Sequence, residues 1–149
     1  MSEAKWVSPV QISDSSVLGL GFDVADSYGG EPTDISLELR SGFQEPRLEE
    51  GFFICRGTLE GTGRWSVVGE DKEAFRVSCK LGIIITAPEG ALAELSEVDR
   101  RTYLYANATA LAYGKIRAEI ESITSGSVVG RQTLPAIDAY AYLKATHQA

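Results

Sequence analysis

The chain has 149 residues, close to the commonest size of a single domain, so we expect one domain over residues 1–149. Hydrophobic residues make up 44% and charged residues 23% of the chain, which is ordinary for a folded protein and argues against disorder of the whole chain. The formal net charge of -7 argues against nucleic acid as a partner, because phosphate binding requires clustered lysines and arginines.

The first residues, Met1 to Trp6, lack the basic and apolar regions of a signal peptide. The longest apolar run, Leu81 to Ala87, is far shorter than the roughly 18 residues that a membrane span requires. Cys55 and Cys79 fit a reducing compartment, and one disulfide between them is the alternative. We therefore expect a cytoplasmic protein that does not insert into membranes.

Alternation of apolar and polar residues predicts strands in the first half of the chain, at 18–24, 35–40, 52–59 and 75–85. In the first of them, Leu18, Leu20, Phe22 and Val24 are expected to share one face. Clusters of glycine and proline predict turns at 28–32, 44–46 and 61–63. Strands so close together, with no helical pattern between them, predict an antiparallel sheet of roughly four strands.

After Pro88 the hydrophobic period becomes that of a helix. Ser96 followed by Asp99 resembles a capping box and begins a helix that is expected to end near Ser125. One stripe, at spacings of three and four residues, is expected to cover the sheet: Tyr105, Thr109, Ala112, Ile116, Ile120 and Ile123.

The first half of this helix, residues 103–113, has little polarity on any side. Ala106, Ala110 and Gly114 line a side other than the sheet-facing stripe, and small residues permit close approach of a second helix. One interpretation is an alanine-rich helix with high intrinsic propensity. The other is that this side, with Tyr103 and Tyr113, forms an interface between copies of the chain.

Gly126 is expected to end the long helix, and residues 128–135 to form an extended or looped connection. A short terminal helix is expected from Ala136 to Ala145, followed by a tail that frays from Thr146.

No constellation of catalytic residues is evident in the sequence. His147, the only histidine, lies two residues from the end and has no evident partner for base or metal chemistry. The two cysteines lie on predicted strands, where packing as small hydrophobic residues is favoured over a redox pair. The glycines match no phosphate-binding pattern. We therefore expect no metal, no cofactor and no enzymatic activity.

The C-terminal half resembles the SecB family of export chaperones. The resemblance lies in the strand FRVSCKLGIIIT, the helical stretch ALAYGKIRAEIESITSGS and a connection that ends in TLPAIDAYAYL, so it covers about Phe75 to Leu143 in recognisable residues. It implies an α+β fold in which a four-stranded antiparallel sheet carries a long helix and a short C-terminal helix on one face.

The resemblance also implies a homotetramer, a dimer of dimers with the long helices packed between dimers, that holds unfolded client proteins in apolar grooves. Members of the family bind clients near the final helix and at the crossover between the first two strands. The candidate client-binding residues of this chain are Phe22, Tyr28, Leu134, Ile137, Tyr140 and Leu143. A place in the core is the alternative for each of them, and for Phe22 and Ile137 the two alternatives are equal.

Three departures from the family pattern bear on function. The crossover loop, Ala25 to Asp34, is short, the tail after Leu143 is short, and residues 65–72 lengthen the hairpin before the last strand. These departures put docking to the secretion motor in doubt. The leading hypothesis is therefore an ATP-independent holdase, with a dedicated chaperone of one partner such as an antitoxin as the alternative. A third class, a small enzyme, would need a pair such as Cys79 with Glu119.

Overall fold

The computed structural model describes residues 7–146, and His147 lies outside the described residues. The fold is α+β, as the sequence predicts. In chain order, the elements are β1 (Gln11–Val24), β2 (Thr33–Phe43), β3 (Arg47–Glu49), β4 (Phe52–Val67), β5 (Glu73–Pro88), a 3-10 turn at Glu89–Leu92, α1 (Glu97–Ser125) and α2 (Ala139–Ala145).

The strands form one antiparallel sheet of order β1-β5-β4-β2, and the short β3 pairs with β4. The four predicted strands are present, with β3 as a three-residue addition. Because β1 and β2 lie at opposite sides of the sheet, residues 25–32 must cross the end of the β4–β5 hairpin. Two main-chain hydrogen bonds hold this crossover, from Ala25 N to Ala74 O at 2.8 Å and from Val68 N to Pro32 O at 2.9 Å.

β4 is longer than predicted, because it continues through Gly61 and Gly63. A Cβ on Gly61 would lie 3.1 Å from Ile116 Cγ2 on α1, and a Cβ on Gly63 would lie 2.6 Å from the ring of Trp65. The predicted turn at 61–63 was therefore wrong. Glycine is needed there for close packing within a strand.

β1 contains two residues more than the part of β5 that it faces, one between Ile12 and Asp14 and one between Val17 and Gly19. Val17 pairs with Leu81 and Gly19 with Lys80, so Leu18 is the extra residue of a bulge. Val17 and Leu20 consequently share the inner face, which α1 covers. Leu18 lies on the outer face, where its Cδ1 would be 3.3 Å from a Cβ on Gly82. The prediction that Leu18 and Leu20 share a face was wrong for this reason.

α1 packs on the inner face of the sheet, mainly over β4 and β5. Ser96 caps it as predicted, because its Oγ accepts a hydrogen bond from the Asp99 N–H at 3.1 Å. Of the predicted sheet-facing stripe, Ile123 is half-buried, and the other members are buried: Tyr105, Thr109, Ala112, Ile116 and Ile120. Neither α1 nor α2 has the length and apolar character needed to cross a membrane.

The second apolar side of α1 is partly buried within the subunit, where the C-terminal segment contacts Tyr113. Ala106 and Tyr113 are 2% and 4% exposed, and the Tyr113 hydroxyl donates a hydrogen bond to Pro135 O. These two predicted interface residues therefore belong to the core of the subunit, whereas Ala110 and Gly114 are exposed. The hydrophobic character of residues 103–113 comes partly from burial within one subunit.

The final helix begins at Ala139, later than the predicted Ala136. Asp138 sets this start, because its Oδ1 accepts a hydrogen bond from Ala141 N at 3.1 Å, as an N-cap residue does. The Tyr142 hydroxyl is 2.8 Å from Ser41 Oγ on β2, which ties α2 to the sheet.

Candidate functional site

The six residues expected to bind clients differ sharply in exposure. Leu134 and Leu143 are fully buried and belong to the core cluster, so the structure corrects both to core residues of the subunit. A client-binding role requires surface that a partner reaches, and neither side chain has any in this conformation. Sequence reasoning missed this because apolar residues of a core and of a groove show the same pattern.

Phe22 and Tyr28 are half-buried at the crossover end of the sheet. The ring of Tyr28 lies 5.6 Å from that of Phe75, which stacks on Trp65 at 4.8 Å between ring centroids. Phe22 is paired with Val77 and faces the inner side. Both side chains therefore pack partly against the core and remain partly exposed to solvent.

Tyr140 on α2 is 50% exposed and lies near Tyr103 of α1. Partial burial raises the pKa of Tyr140, and the neighbouring Tyr103 hydroxyl adds to this increase. A predicted client-binding residue and a predicted interface residue therefore share one surface. Ile137 is half-buried and packs against the core.

A groove of mixed polarity, which the sequence does not reveal, runs between β1 and α1. Val17 and Leu20 lie on the inner face but are 43% and 46% exposed, because α1 sits mainly over β4 and β5. The groove has a volume of about 250 Å³, and we call it the β1 groove. Its lining residues are Ser15, Ser16, Val17, Leu81, Lys115, Ala118 and Glu119. No sequence signal reveals it, since it depends on the bulge at Leu18 and on the strand order.

A larger depression of about 750 Å³ lies at the β3–β4 hairpin. Its apolar surface comes from Phe52, which is 47% exposed, and from Ile54, while Glu49 and Glu50 line it with carboxylates. The hairpin turn places Glu50 and Gly51 at positive φ angles of 50° and 84°, a geometry that glycine adopts readily. This depression is shallow and belongs to the outer side of the sheet.

The two cysteines are free and buried. Cys79 faces Gly61 of β4, six residues along from Cys55, which separates the thiols by roughly 20 Å. A disulfide requires Cα atoms within about 7 Å, so the disulfide alternative was wrong.

Thiol chemistry is also disfavoured by the surroundings of the cysteines. Burial raises the pKa of Cys55 to about 12, with a smaller contribution from Glu45. Burial and then the carboxylate of Glu119 raise the pKa of Cys79 to about 11. Glu119 thus opposes the thiolate instead of activating it. Within residues 7–146, no group of three or more His, Cys, Asp or Glu side chains is placed to hold a metal ion.

The solved structures with a similar fold include the following two. One is the SecB-like chaperone Rv1957 of Mycobacterium tuberculosis in complex with a ChAD peptide from the Rv1956 HigA1 antitoxin, with a TM-score of 0.57, 15% identity and coverage of 86% of this chain and 90% of that chain. The other is a protein of unknown function from Streptococcus agalactiae, with a TM-score of 0.50, 14% identity and coverage of 85% and 97%. The expected SecB-like relationship is thus confirmed at the level of the fold. No protein-family model and no curated protein sequence matches the chain.

Proposed function

We propose that this chain is an ATP-independent holdase that binds unfolded or partly folded proteins, with the β1 groove as a client-binding surface. The observation that carries the proposal is the exposure of Val17 and Leu20 on the face of the sheet that elsewhere forms the core. Adjoining exposed apolar side chains are a common mark of a binding surface. The fold shared with a chaperone supports the same function.

The β1 groove suits an extended client. β1 is an edge strand, and in the described sheet it pairs only with β5, so its other edge has main-chain groups available to an added strand. Client side chains that cover Val17 and Leu20 would contribute about 25 cal/mol per Å² of buried apolar area. Binding of the unfolded state in this way slows aggregation and holds the client unfolded by mass action.

A homotetramer, arranged as a dimer of dimers, is part of the proposal. Ala110 and Gly114 form an exposed small-residue surface on α1, and no heavy atom beyond the adjacent residues and the backbone of α1 lies within 4 Å of a Cβ placed on Gly114. A helix from another copy approaches closely over such a surface. Light scattering tests this assembly, and a monomer at working concentrations would contradict it.

Aggregation assays with a chemically denatured substrate test the holdase function. We expect the wild-type protein to suppress light scattering and Val17→Ser, which changes an exposed residue of the groove lining, to lose much of this suppression. Leu18→Ser is the matched control, because Leu18 is 56% exposed on the outer face of the same strand. Equal behaviour of the two variants would contradict the β1 groove as the client surface. Absence of suppression by the wild type with several different clients would contradict the holdase function itself.

A dedicated chaperone of one partner, such as an antitoxin, is the second candidate. It is favoured by the Mycobacterium tuberculosis neighbour, whose structure contains a peptide from an antitoxin. The two candidates differ in breadth of binding. A dedicated chaperone is expected to co-purify with one partner and to leave unrelated denatured proteins unprotected, whereas a general holdase protects them.

A further inference from the structure

Residues 131–137 form a segment without helix or strand, which we call the strap, between the end of α1 and the start of α2. Within the described part of the chain, the main chain of the strap makes no hydrogen bond to another main-chain group. Side chains of α1 hold it instead. A segment held in this way is bound as a peptide ligand is bound, although it belongs to the same chain.

Two side chains of α1 bind consecutive carbonyl groups of the strap. Arg117 Nε donates a hydrogen bond to Leu134 O at 3.1 Å, and the hydroxyl of Tyr113 donates to Pro135 O. Both acceptors are main-chain carbonyl groups, which a peptide of any sequence offers. These contacts therefore depend on the path of a ligand's main chain and not on its sequence.

The other end of the strap is held one helical turn further along α1. Gln132 N donates to Thr124 Oγ1 at 2.9 Å, and the carboxylate of Glu121 accepts from Thr133 Oγ1 at 3.0 Å. The four α1 residues in contact with the strap follow at spacings of four, four and three, so they lie on one face of the helix. They are Tyr113, Arg117, Glu121 and Thr124.

Two side chains of the strap add sequence preference. Leu134 is fully buried over β4, where its Cδ2 would lie 2.9 Å from a Cβ on Gly63, so the missing side chain of Gly63 makes room for it. Arg131 forms an ion pair with Glu121 at 2.8 Å. A hydrogen bond from Arg131 is the largest of the contributions that lower the pKa of Glu121. The groove thus favours a peptide with a cationic side chain and, three residues later, a large aliphatic side chain.

We propose that this face of α1 and the floor at Gly63 form a peptide-binding groove, which the strap occupies until a partner segment displaces it. The partner segment follows the same path and carries Arg or Lys, two further residues, a large aliphatic residue and then proline, as the strap does from Arg131 to Pro135. The inference rests on the proposed function, since it defines a preferred class of client. Residues 126–130 provide the hinge, with Val128 89% exposed and Gly130 at a φ of 72°.

The tether gives the strap an advantage over any free peptide, because a short linker creates an effective concentration on the order of millimolar. The wild-type protein should therefore bind a free strap peptide weakly. A substitution that weakens the strap, but leaves the groove intact, should strengthen binding of the peptide.

The test uses the full-length protein and a fluorescent peptide with the sequence of residues 129–138, followed by anisotropy. Arg131→Glu places a carboxylate against Glu121 and is expected to raise the affinity for the peptide by about three-fold or more, given the usual strength of an exposed ion pair. Arg40→Glu is the matched control, since Arg40 is an exposed cation paired with Glu38 at 3.0 Å on the sheet. It is expected to bind the peptide as the wild type does. A peptide with aspartate in place of its leucine is expected to lose binding.

Each outcome bears on a different claim. If Arg131→Glu binds the peptide no better than the wild type, while aggregation is still suppressed, the groove is disproved and the holdase function stands. Loss of both peptide binding and suppression in the wild type overturns both. If Arg131→Glu without peptide forms a larger assembly than the wild type, the strap serves a second copy of the chain, and the proposed partner is wrong.

Discussion

Gly63 on β4 is the point at which the sheet, Trp65 and the strap approach most closely. Ring atoms of Trp65 would lie 2.6 Å and 2.7 Å from a Cβ at this position, and Leu134 Cδ2 would lie 2.9 Å from it. Such distances are too short for carbon atoms in contact, so Gly63→Ala must displace a buried ring and a buried leucine. We therefore expect Gly63→Ala to destabilise the fold.

The magnitude follows from two opposing contributions. Replacing a strand glycine by alanine restricts the unfolded chain and favours folding by about 0.5–1 kcal/mol. Overpacking of a dense core costs about 1–3 kcal/mol. The net loss in the free energy of unfolding is expected to be about 1–2 kcal/mol, which lowers Tm by about 2–8 °C for a chain of this size.

Urea denaturation followed by circular dichroism measures this loss. The control is Gly90→Ala in the 3-10 turn, where no heavy atom beyond the adjacent residues lies within 4 Å of the added Cβ and restriction of the unfolded chain should stabilise by about 0.4–1 kcal/mol. In the double variant Gly63→Ala, Leu134→Ala, the loss in the free energy of unfolding should be smaller than the sum of the two single losses. Removal of the Leu134 side chain also removes its clash with the new Cβ at position 63. A Gly63→Ala protein at least as stable as the wild type would refute the packing described here.

The remaining predictions concern polar groups of α1 and the two thiols. Thr109 Oγ1 is buried without a hydrogen-bond partner among the described residues, so Thr109→Val should raise the free energy of unfolding by about 1 kcal/mol in urea titrations. Ser96→Ala should lower it by about 1 kcal/mol through loss of the cap on Asp99 N, and an unchanged midpoint would contradict that role. The folded-state pKa values of about 12 for Cys55 and about 11 for Cys79 lie above the ordinary value of 9.0, so the unfolded chain loses these protons first. The contribution of the two thiols to the free energy of unfolding is fully present below about pH 9 and decreases as the pH rises above it. The double variant Cys55→Ala, Cys79→Ala should not show this decrease.

The sequence predicts the larger part of the fold because the two-residue period of the strands and the period of about 3.6 residues of the long helix are both strong. Alternation over residues 75–85 identifies β5, and the stripe that includes Ile116 and Ile120 identifies the buried side of α1. The errors lie where a local pattern competes with packing. Gly61 and Gly63 resemble a turn in sequence, yet they are strand residues whose missing side chains admit Ile116, Trp65 and Leu134.

The candidate site is less accessible to sequence reasoning. Val17 and Leu20 have the composition of core residues, and their exposure arises only because β1 is at the sheet edge beyond the reach of α1. Leu134 shows the opposite case, because it was predicted to bind clients but is buried against β4. Whether an apolar residue is covered depends on elements distant in sequence, and alternation carries no information on them.

Trp65 gives the protein a built-in optical reporter. Its indole is 4% exposed, stacks on Phe75 and lies beside the same Gly63 floor that Leu134 covers. Departure of the strap would admit water to the indole and shift its emission to longer wavelengths. The second tryptophan, Trp6, adds a background that Trp6→Phe removes. Stopped-flow fluorescence of that variant would then time the release of the strap directly, without a label on either partner.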